Sequence, residues 1–526
     1  MTVSAPLAGP GRGRPSFVFF PERGGSRVLL AASLFLILFG SRAALIGWAG
    51  SATPFMDEWD ADWGGLLRPW LTGGLTPHEF TTPFMEHRIA LTRLLVLSIF
   101  HLSGYWDVVL QMIVNAILGS AFLVAIAFAL SRVLEGAWAF AAIVAACLLN
   151  VVPFAYDNIL LGFNTHFYLL PALSLLGLWL IVEAPAWSLR WVAGVVCGAA
   201  SFFCMASGAL TLAAALAVHG LQMACGRRTG RREGLALAAL VCATAIPLIF
   251  VPHVPEADAY RARSAGEFLA AIGTFAGWPS SSALGLLLPL PSLIFCLYAV
   301  ADRPALKDVR WFNIAALAWV GAQIVALAFG RGQAPVQSRY MDSLMLGLTI
   351  HFISALWIVQ TRALGQSRRI ASVALAIWIG VLGATLVHAE RHLPRDIRVW
   401  RDRIEVGGGN VRAYLAGDTT RLSGAPIDDF PYPDAGRLRV YLDAPEARAS
   451  LPPSLTGREA PRNRIEAFKS RILAFAPGWI GLGAAGLLIV IAWPWASRDL
   501  RRMSGAAEWI TVDPRPTPPE GEVISS

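Results

Sequence analysis

Apolar runs of about 18 to 24 residues, each bounded by polar loops, recur along most of the chain. Wound as a helix at 1.5 Å per residue, such a run crosses the roughly 30 Å of hydrocarbon in a bilayer. The pattern predicts about twelve spans, at 28–50, 107–130, 137–154, 165–183, 189–206, 209–225, 234–252, 282–300, 311–329, 341–360, 370–388 and 474–496. Residues 89–103 are also apolar, but they are shorter and carry Arg93 and His101, so they read as an interfacial helix. The expected fold class is an all-α polytopic membrane protein.

Arginines orient these spans. Arg12, Arg14, Arg23 and Arg27 precede the first, RRTGRR follows the sixth, and SRDLRR follows the twelfth. Short loops rich in Arg and Lys stay on the cytoplasmic side. With 89–103 interfacial, every short basic loop falls inside and both termini are cytoplasmic; counted as a span, it would throw RRTGRR outside. The chain then divides into a disordered cytoplasmic arm (1–27), a transmembrane module (28–389), a small outer domain (390–470), a last span (471–498) and a disordered cytoplasmic tail (499–526). The module's first outer loop, 54–106, holds the interfacial helices. The outer domain reads as a Pro-, Gly- and Asp-rich piece, with GGGN at 407–410 and DDFPYPD at 428–434.

Composition agrees with this picture and narrows it. The chain is 56% hydrophobic and only 15% charged, where soluble domains carry roughly a quarter charged residues. A net charge of +8 would suggest nucleic acid in a soluble protein, but here the arginines sit between spans and mark orientation instead. The partners expected are membrane lipids, with no nucleic acid. Lysine occurs only at Lys307 and Lys469 while Arg, Ala and Gly abound, a usage typical of GC-rich bacterial genomes, and the expected location is a bacterial cytoplasmic (inner) membrane. All six cysteines lie in apolar runs and read as small core hydrophobes, without metal-site or disulfide spacing.

The unusual polar residues converge on the predicted outer side. Residues 54–93 hold Asp57, Glu58, Asp60, Asp62, Glu79, Glu86, His87, Arg88 and Arg93 among Trp59, Trp63 and Trp70. So acidic a segment between spans is expected at the membrane surface and not in a core, with its tryptophans as interfacial anchors. Asp157, Asn164 and His166 lie between the third and fourth spans, and Arg331, Arg339, Tyr340 and Asp342 between the ninth and tenth. Arginines hold phosphate by charge-assisted hydrogen bonds, and a carboxylate can take a proton from an attacking hydroxyl. Acids and arginines gathered at a membrane surface suit a reaction on a lipid-linked phosphate.

These residues carry a resemblance to the GT-C class of glycosyltransferases, which includes protein O-mannosyltransferases and lipid A aminoarabinose transferases. MDEWD at 56–60 resembles the acidic motif that class places after its first span, and MEHRIALTR at 85–93 resembles a basic element late in the same loop. Asp157 in AYDNILLGF is similar to a further acid after the third span, and QSRYMD at 337–342 to a lipid-phosphate-binding arginine region. The likeness runs in order over roughly residues 28–190 and is architectural beyond them. The prolines that often follow the late basic element are missing, and the outer domain is small.

The resemblance implies inverting transfer from a polyprenyl-phosphate sugar to a cell-envelope glycan, lipid or protein on the outer face. It implies Asp57 as general base, Glu58 supporting it or binding acceptor, and Asp157 as a further catalytic acid. His87, Arg88, Asn164, His166, Arg331, Arg339 and Tyr340 become candidate substrate-binding residues, with the two arginines neutralising the phosphate leaving group. Some members use a divalent cation such as Mg or Mn and others do not, so the metal stays open. Two other classes stay open as well: a transporter or flippase of a glycolipid or related anionic solute, and a polysaccharide polymerase or ligase using a diphosphate-linked donor. A transporter would place charges deep within spans.

Overall fold

The computed structural model is 78% helical, and it describes residues 24–280, 283–362, 365–422 and 430–507, among which no strand occurs. In chain order the principal helices are α1 (Gly24–Ala49), α2 (Ala90–Ser103), α3 (Val108–Leu130), α4 (Gly136–Leu149), α5 (Tyr156–Leu160) and α6 (Thr165–Val182). They continue as α7 (Leu189–Ser201), α8 (Ala209–Ala224), α9 (Arg231–Ile249), α10 (Ala265–Gly277), α11 (Leu290–Ala301) and α12 (Arg310–Arg331). The last six are α13 (Met341–Thr361), α14 (Gly365–Glu390), α15 (Leu393–Leu415), α16 (Ala435–Asp443), α17 (Asn463–Ala474) and α18 (Ala476–Ala507). The arm before residue 24 and the tail from residue 508, both expected to be disordered, lie outside the described residues. The first part of that tail does not follow the expectation, since α18 runs on to Ala507.

Among the described residues eight helices are long and apolar enough to cross a membrane, and nine if α17 and α18, bent by 53° at their junction, form one span. The chain is a multi-pass helical membrane protein. Three of the twelve predicted spans fall on shorter apolar helices: α4, α7 and the stretch Gly285–Ala301 that contains α11. At 1.5 Å per residue α4 and α7 cover about 20 Å, short of the hydrocarbon thickness. α10, placed in an outer loop by the hydropathy pattern, is itself a short apolar helix.

Membrane helices gain little from burying apolar surface against one another, so close backbone approach at small residues does more of the work. α1 and α18 pack this way. A Cβ on Gly483 would lie 2.5 Å from the Ser33 carbonyl, and one on Gly40 would lie 2.7 Å from Ile480 Cγ1. All six cysteines are free thiols; Cys242, unlike the core residues expected, is exposed on the outside of α9.

Two expectations fail locally. First, residues 54–93 are not wholly superficial. Residues Trp59–Leu67 form a π-helix whose Trp59, Ala61, Asp62, Trp63, Leu66 and Leu67 are fully buried. Trp59 and Trp63 pack against Trp106 at ring distances of 5.3 and 6.3 Å, so they are core residues of the protein and not anchors in lipid headgroups. Charge alone misleads here because Glu58 is buried with two backbone N–H groups as its partners, and Asp62 is buried without a hydrogen-bond partner among the described residues.

Second, the glycine-rich stretch after residue 390, GGGN at 407–410 included, is helical. α14 continues into α15 as one helical run, Gln366–Leu415, which passes through Gly407, Gly408 and Gly409. Glycine costs a helix about 1 kcal/mol relative to alanine, and contact explains its presence here. A Cβ on Gly407 would lie 2.9 Å from the Pro431 backbone nitrogen, and one on Gly408 would lie 2.5 Å from Thr53 Oγ1. The notch seats Pro431, whose carbonyl accepts a 2.7 Å hydrogen bond from the Met56 N–H. We expect Gly407→Ala to lower stability by about 1–3 kcal/mol, because overpacking against backbone outweighs the gain in helix propensity. A detergent-solubilised variant melting at or above the wild-type temperature would show that the notch yields freely.

Candidate functional site

Pro431 matters because of what Met56 does next. Met56 has φ 50°, the left-handed region that a side chain other than glycine enters at a cost of order 1 kcal/mol. The Pro431 carbonyl holds it there, and the chain turns so that Asp57 faces a cavity of about 510 Å³. That volume lies within the range of small-molecule sites. The wall is built from five separate places: the loop after α1, the start of α5, Trp278 just after α10, the 3-10 turn before α13, and the junction of α14 with α15. These loops therefore meet at one end of the bundle.

Asp57, Asp157 and Arg339 all line this cavity. The Arg339 Nη1 lies 3.7 Å from Asp57 Oδ2, with both side chains still a third or more exposed. Partly buried hydrogen bonds stitch the Asp157 segment to the Arg339 segment. The Asp157 N–H donates to Ser338 Oγ at 3.1 Å, and Ser338 Oγ donates to the Phe154 carbonyl at 2.8 Å. Asn158 Nδ2 donates to the Arg339 carbonyl at 2.9 Å and to Asp342 Oδ2 at 2.8 Å. Asn164 Nδ2 completes the stitching by donating to the Asp157 carbonyl and to Asn158 Oδ1, both at 3.1 Å.

The two carboxyls share one counter-charge. Although the Asp57 side chain reaches the open cavity, the protein around it strips away solvent and pushes it above the usual carboxylate range; the Arg339 guanidinium opposes that, and the nearby charge of Asp60 adds to it. Burial likewise raises Asp157, again opposed by Arg339. Raised carboxyls are the stronger proton acceptors when ionised, which suits a base. Among the described residues no group of three or more His, Cys, Asp or Glu side chains converges as a metal would need. Asp57 pairs with the Arg339 guanidinium instead, and the same charge acts on Asp157. This donor set does not fit a divalent ion held by protein side chains alone, and no step below is routed through one.

The other candidates lie elsewhere. Glu58 is only 1% exposed and turned into the core, where Oε2 accepts from the Phe55 N–H at 2.7 Å and Oε1 from the Phe163 N–H at 3.2 Å. It latches the loop to the start of α6. His166 is buried with Nδ1 3.1 Å from the Phe163 carbonyl, and Asn164 spends its amide on the stitching above. Tyr340 is buried against Phe275. Arg88 clips the Thr81 and Phe250 carbonyls at 2.9 and 3.4 Å. Arg331 is paired with Glu86 at 3.3 Å and lies over the Tyr260 ring. His87 Nδ1 accepts from the Ala206 N–H at 3.4 Å, and burial holds its imidazole down at about 4, neutral at pH 7. None of these seven lines the Asp57 cavity.

The remaining acids explain how so charged a segment packs. Asp60 accepts hydrogen bonds from the Tyr432 and Tyr441 hydroxyls, both 2.9 Å, and pairs with Arg437 at 2.9 Å, docking the region after residue 430 onto the first loop. Asp62, fully buried, is pushed up to about 7 by desolvation, against the pull of Arg93. Desolvation and the Asp62 charge raise Glu58 to about 8. The folded state therefore holds protons here that the unfolded chain releases near its ordinary carboxylate values. By linkage, stability present at low pH is lost as pH climbs towards 8. We expect Glu58→Gln to lower the melting temperature at pH 5, having lost one acceptor, and to flatten its fall between pH 5 and 8. An unchanged slope would assign the proton to another group.

Hydropathy and loop position missed other residues at this site. Asp396, Trp400 and Arg403 of α15 line the cavity with Tyr156 and Trp278. The first three are spaced i, i+4, i+7, a signal for one helix face that was legible in the sequence. Arg42 was passed over as well. It lies within α1, 4% exposed, with Nη1 3.3 Å from Ser120 Oγ, and its charge acts on Asp342. Compared with known proteins, the chain matches no family model, no curated protein and no solved structure.

Proposed function

We propose that the chain is an integral-membrane glycosyltransferase that moves a sugar from a polyprenyl-phosphate donor to a hydroxyl of a cell-envelope acceptor, with inversion. The observation that carries this reading is the pair of carboxylates, Asp57 and Asp157, lining one cavity beside the Arg339 guanidinium, whose charge acts on both. In the proposed reaction Asp57 takes the proton from the acceptor hydroxyl as that oxygen attacks the anomeric carbon. The bond from that carbon to the phosphate oxygen breaks, and polyprenyl phosphate leaves with the electron pair. Arg339 neutralises the leaving phosphate by charge-assisted hydrogen bonds. Arg331, already held by Glu86, has no step here. The reading includes twelve spans, the cavity on the outer face of a bacterial cytoplasmic membrane and both termini inside, as the arginine loops suggest.

A second reading, movement of a glycolipid or anionic solute across the membrane, draws on Arg42, because a charge buried deep within a span marks transport pathways. The test is incorporation of label from a panel of radiolabelled polyprenyl-phosphate sugars by membranes containing the chain, with a cell-envelope extract as acceptor. Incorporation above membranes lacking the chain supports transfer. No incorporation from any donor, with labelled lipid crossing the bilayer in reconstituted vesicles, would replace it by transport.

A further inference from the structure

The α15 wall of the cavity has no part in the mechanism above, yet it is built into the same site. Asp396, Trp400 and Arg403 lie on one face of the helix and all line the cavity. Trp400 is wedged between the two segments that carry the carboxylates. Its ring meets Phe55, two residues before Asp57, edge to face at 5.0 Å, and Tyr156, the neighbour of Asp157, at 5.9 Å. The Arg403 guanidinium lies over the Phe55 ring at 5.5 Å, and Asp396 is exposed. One acid and one base flanking aromatic rings give a wall without net charge. Such a wall suits a polyhydroxylated ring, whose C–H faces pack on aromatics while its hydroxyls bond to carboxylate and guanidinium. It suits a second phosphate poorly.

We propose that Asp396, Trp400 and Arg403 form an acceptor subsite that takes a sugar ring and presents its hydroxyl to Asp57. This inference rests on the glycosyl-transfer reading. It follows from position, because a ring held on Trp400 lies beside both carboxylate-bearing segments, where the nucleophile has to be. It also gives the helical extension of α14 into α15 a function, since that extension carries the wall over the cavity.

The experiment measures initial transfer rates by the full chain in membranes, titrating cell-envelope extract at saturating radiolabelled polyprenyl-phosphate sugar, and then the donor at saturating extract. Asp396→Asn, at an exposed position, and Trp400→Phe, which keeps an aromatic wedge, are compared with wild type at equal insertion. We expect each to raise the half-saturating extract concentration about tenfold, the effect of one lost contact, with donor half-saturation within about twofold of wild type. A shift in donor half-saturation alone would overturn the proposal and assign α15 to the donor. Wild-type values for both titrations would overturn it as well, leaving the wall structural. Absence of transfer by the wild-type chain overturns the glycosyl-transfer reading itself, which the variants' behaviour alone cannot do.

Discussion

Asp57→Asn is expected to lower the transfer rate about 10²- to 10⁴-fold, the range a positioned base contributes, with donor half-saturation little changed. Asparagine keeps the size and a hydrogen-bond acceptor but cannot hold a proton. The substitution also releases Arg339 from its partner at 3.7 Å, so phosphate affinity should hold or rise while the chemical step fails. The pH profile gives an independent reading. A base works only when ionised, so activity falls as pH drops through its folded pKa. Burial sets Asp57 above the ordinary aspartate value of about 3.9, so the acid limb of the wild-type profile should lie above that value. The residual activity of Asp57→Asn should lose that limb. Equal rates for variant and wild type, with both chains equally inserted, would remove Asp57 as the base and pass the role to Asp157, the other carboxylate at Arg339.

Which parts of this site were legible in advance follows a physical line. Asp57, Asp157 and Arg339 could be found because membrane topology is written in long apolar runs and arginine loops, which bring distant loops to one end of the bundle. The choice of Asp57 over Glu58 as base came only from the resemblance. Neighbouring carboxylates have nearly equal claims in sequence, and what separates them is the positive φ of Met56, held by the Pro431 carbonyl from a distant segment. One residue faces the cavity and the other latches two backbone amides. His166, Asn164 and Arg331 show the same limit. Polar side chains at helix ends are equally suited to holding a ligand or a protein group: here carbonyls a few residues back claim His166 and Asn164, and Glu86 of the first loop claims Arg331. The α15 wall was passed over for another reason. Its Asp396, Trp400 and Arg403 keep helical spacing, but nearby glycines and prolines argued against a helix, and only the packing of Gly407 on Pro431 shows why the glycines are there.

The same packing logic predicts the largest stability effect in the molecule, at one of its two lysines. Lys469 on α17 is 7% exposed and donates to Asp107 Oδ2 at 2.7 Å and to Tyr105 Oη at 2.6 Å, and it pairs with Glu466 at 2.9 Å. Asp107 is 1% exposed. It caps α3 by accepting from the Leu110 N–H at 3.0 Å, and it accepts from Ser103 Oγ at 2.9 Å. Removing one partner of such a buried pair leaves the other charge without compensation, at a cost of about 3–5 kcal/mol. Lys469→Met should therefore melt far below wild type. Asp107→Asn keeps a capping oxygen and leaves the lysine Glu466 as its remaining counter-charge, so it should be destabilised less than Lys469→Met. The double variant buries no unpaired charge from this couple, so its loss should be well short of the sum of the two single losses. Strict additivity would show that the pair contributes no coupling and that the burial is incidental. The consequence reaches the cavity, because α17 leads into α18, α18 packs along α1, and the end of α1 starts the loop that carries Asp57. A chain loosened at Lys469 should bind donor more weakly as well as melt earlier, whereas Asp57→Asn loses the chemical step with its melting temperature intact.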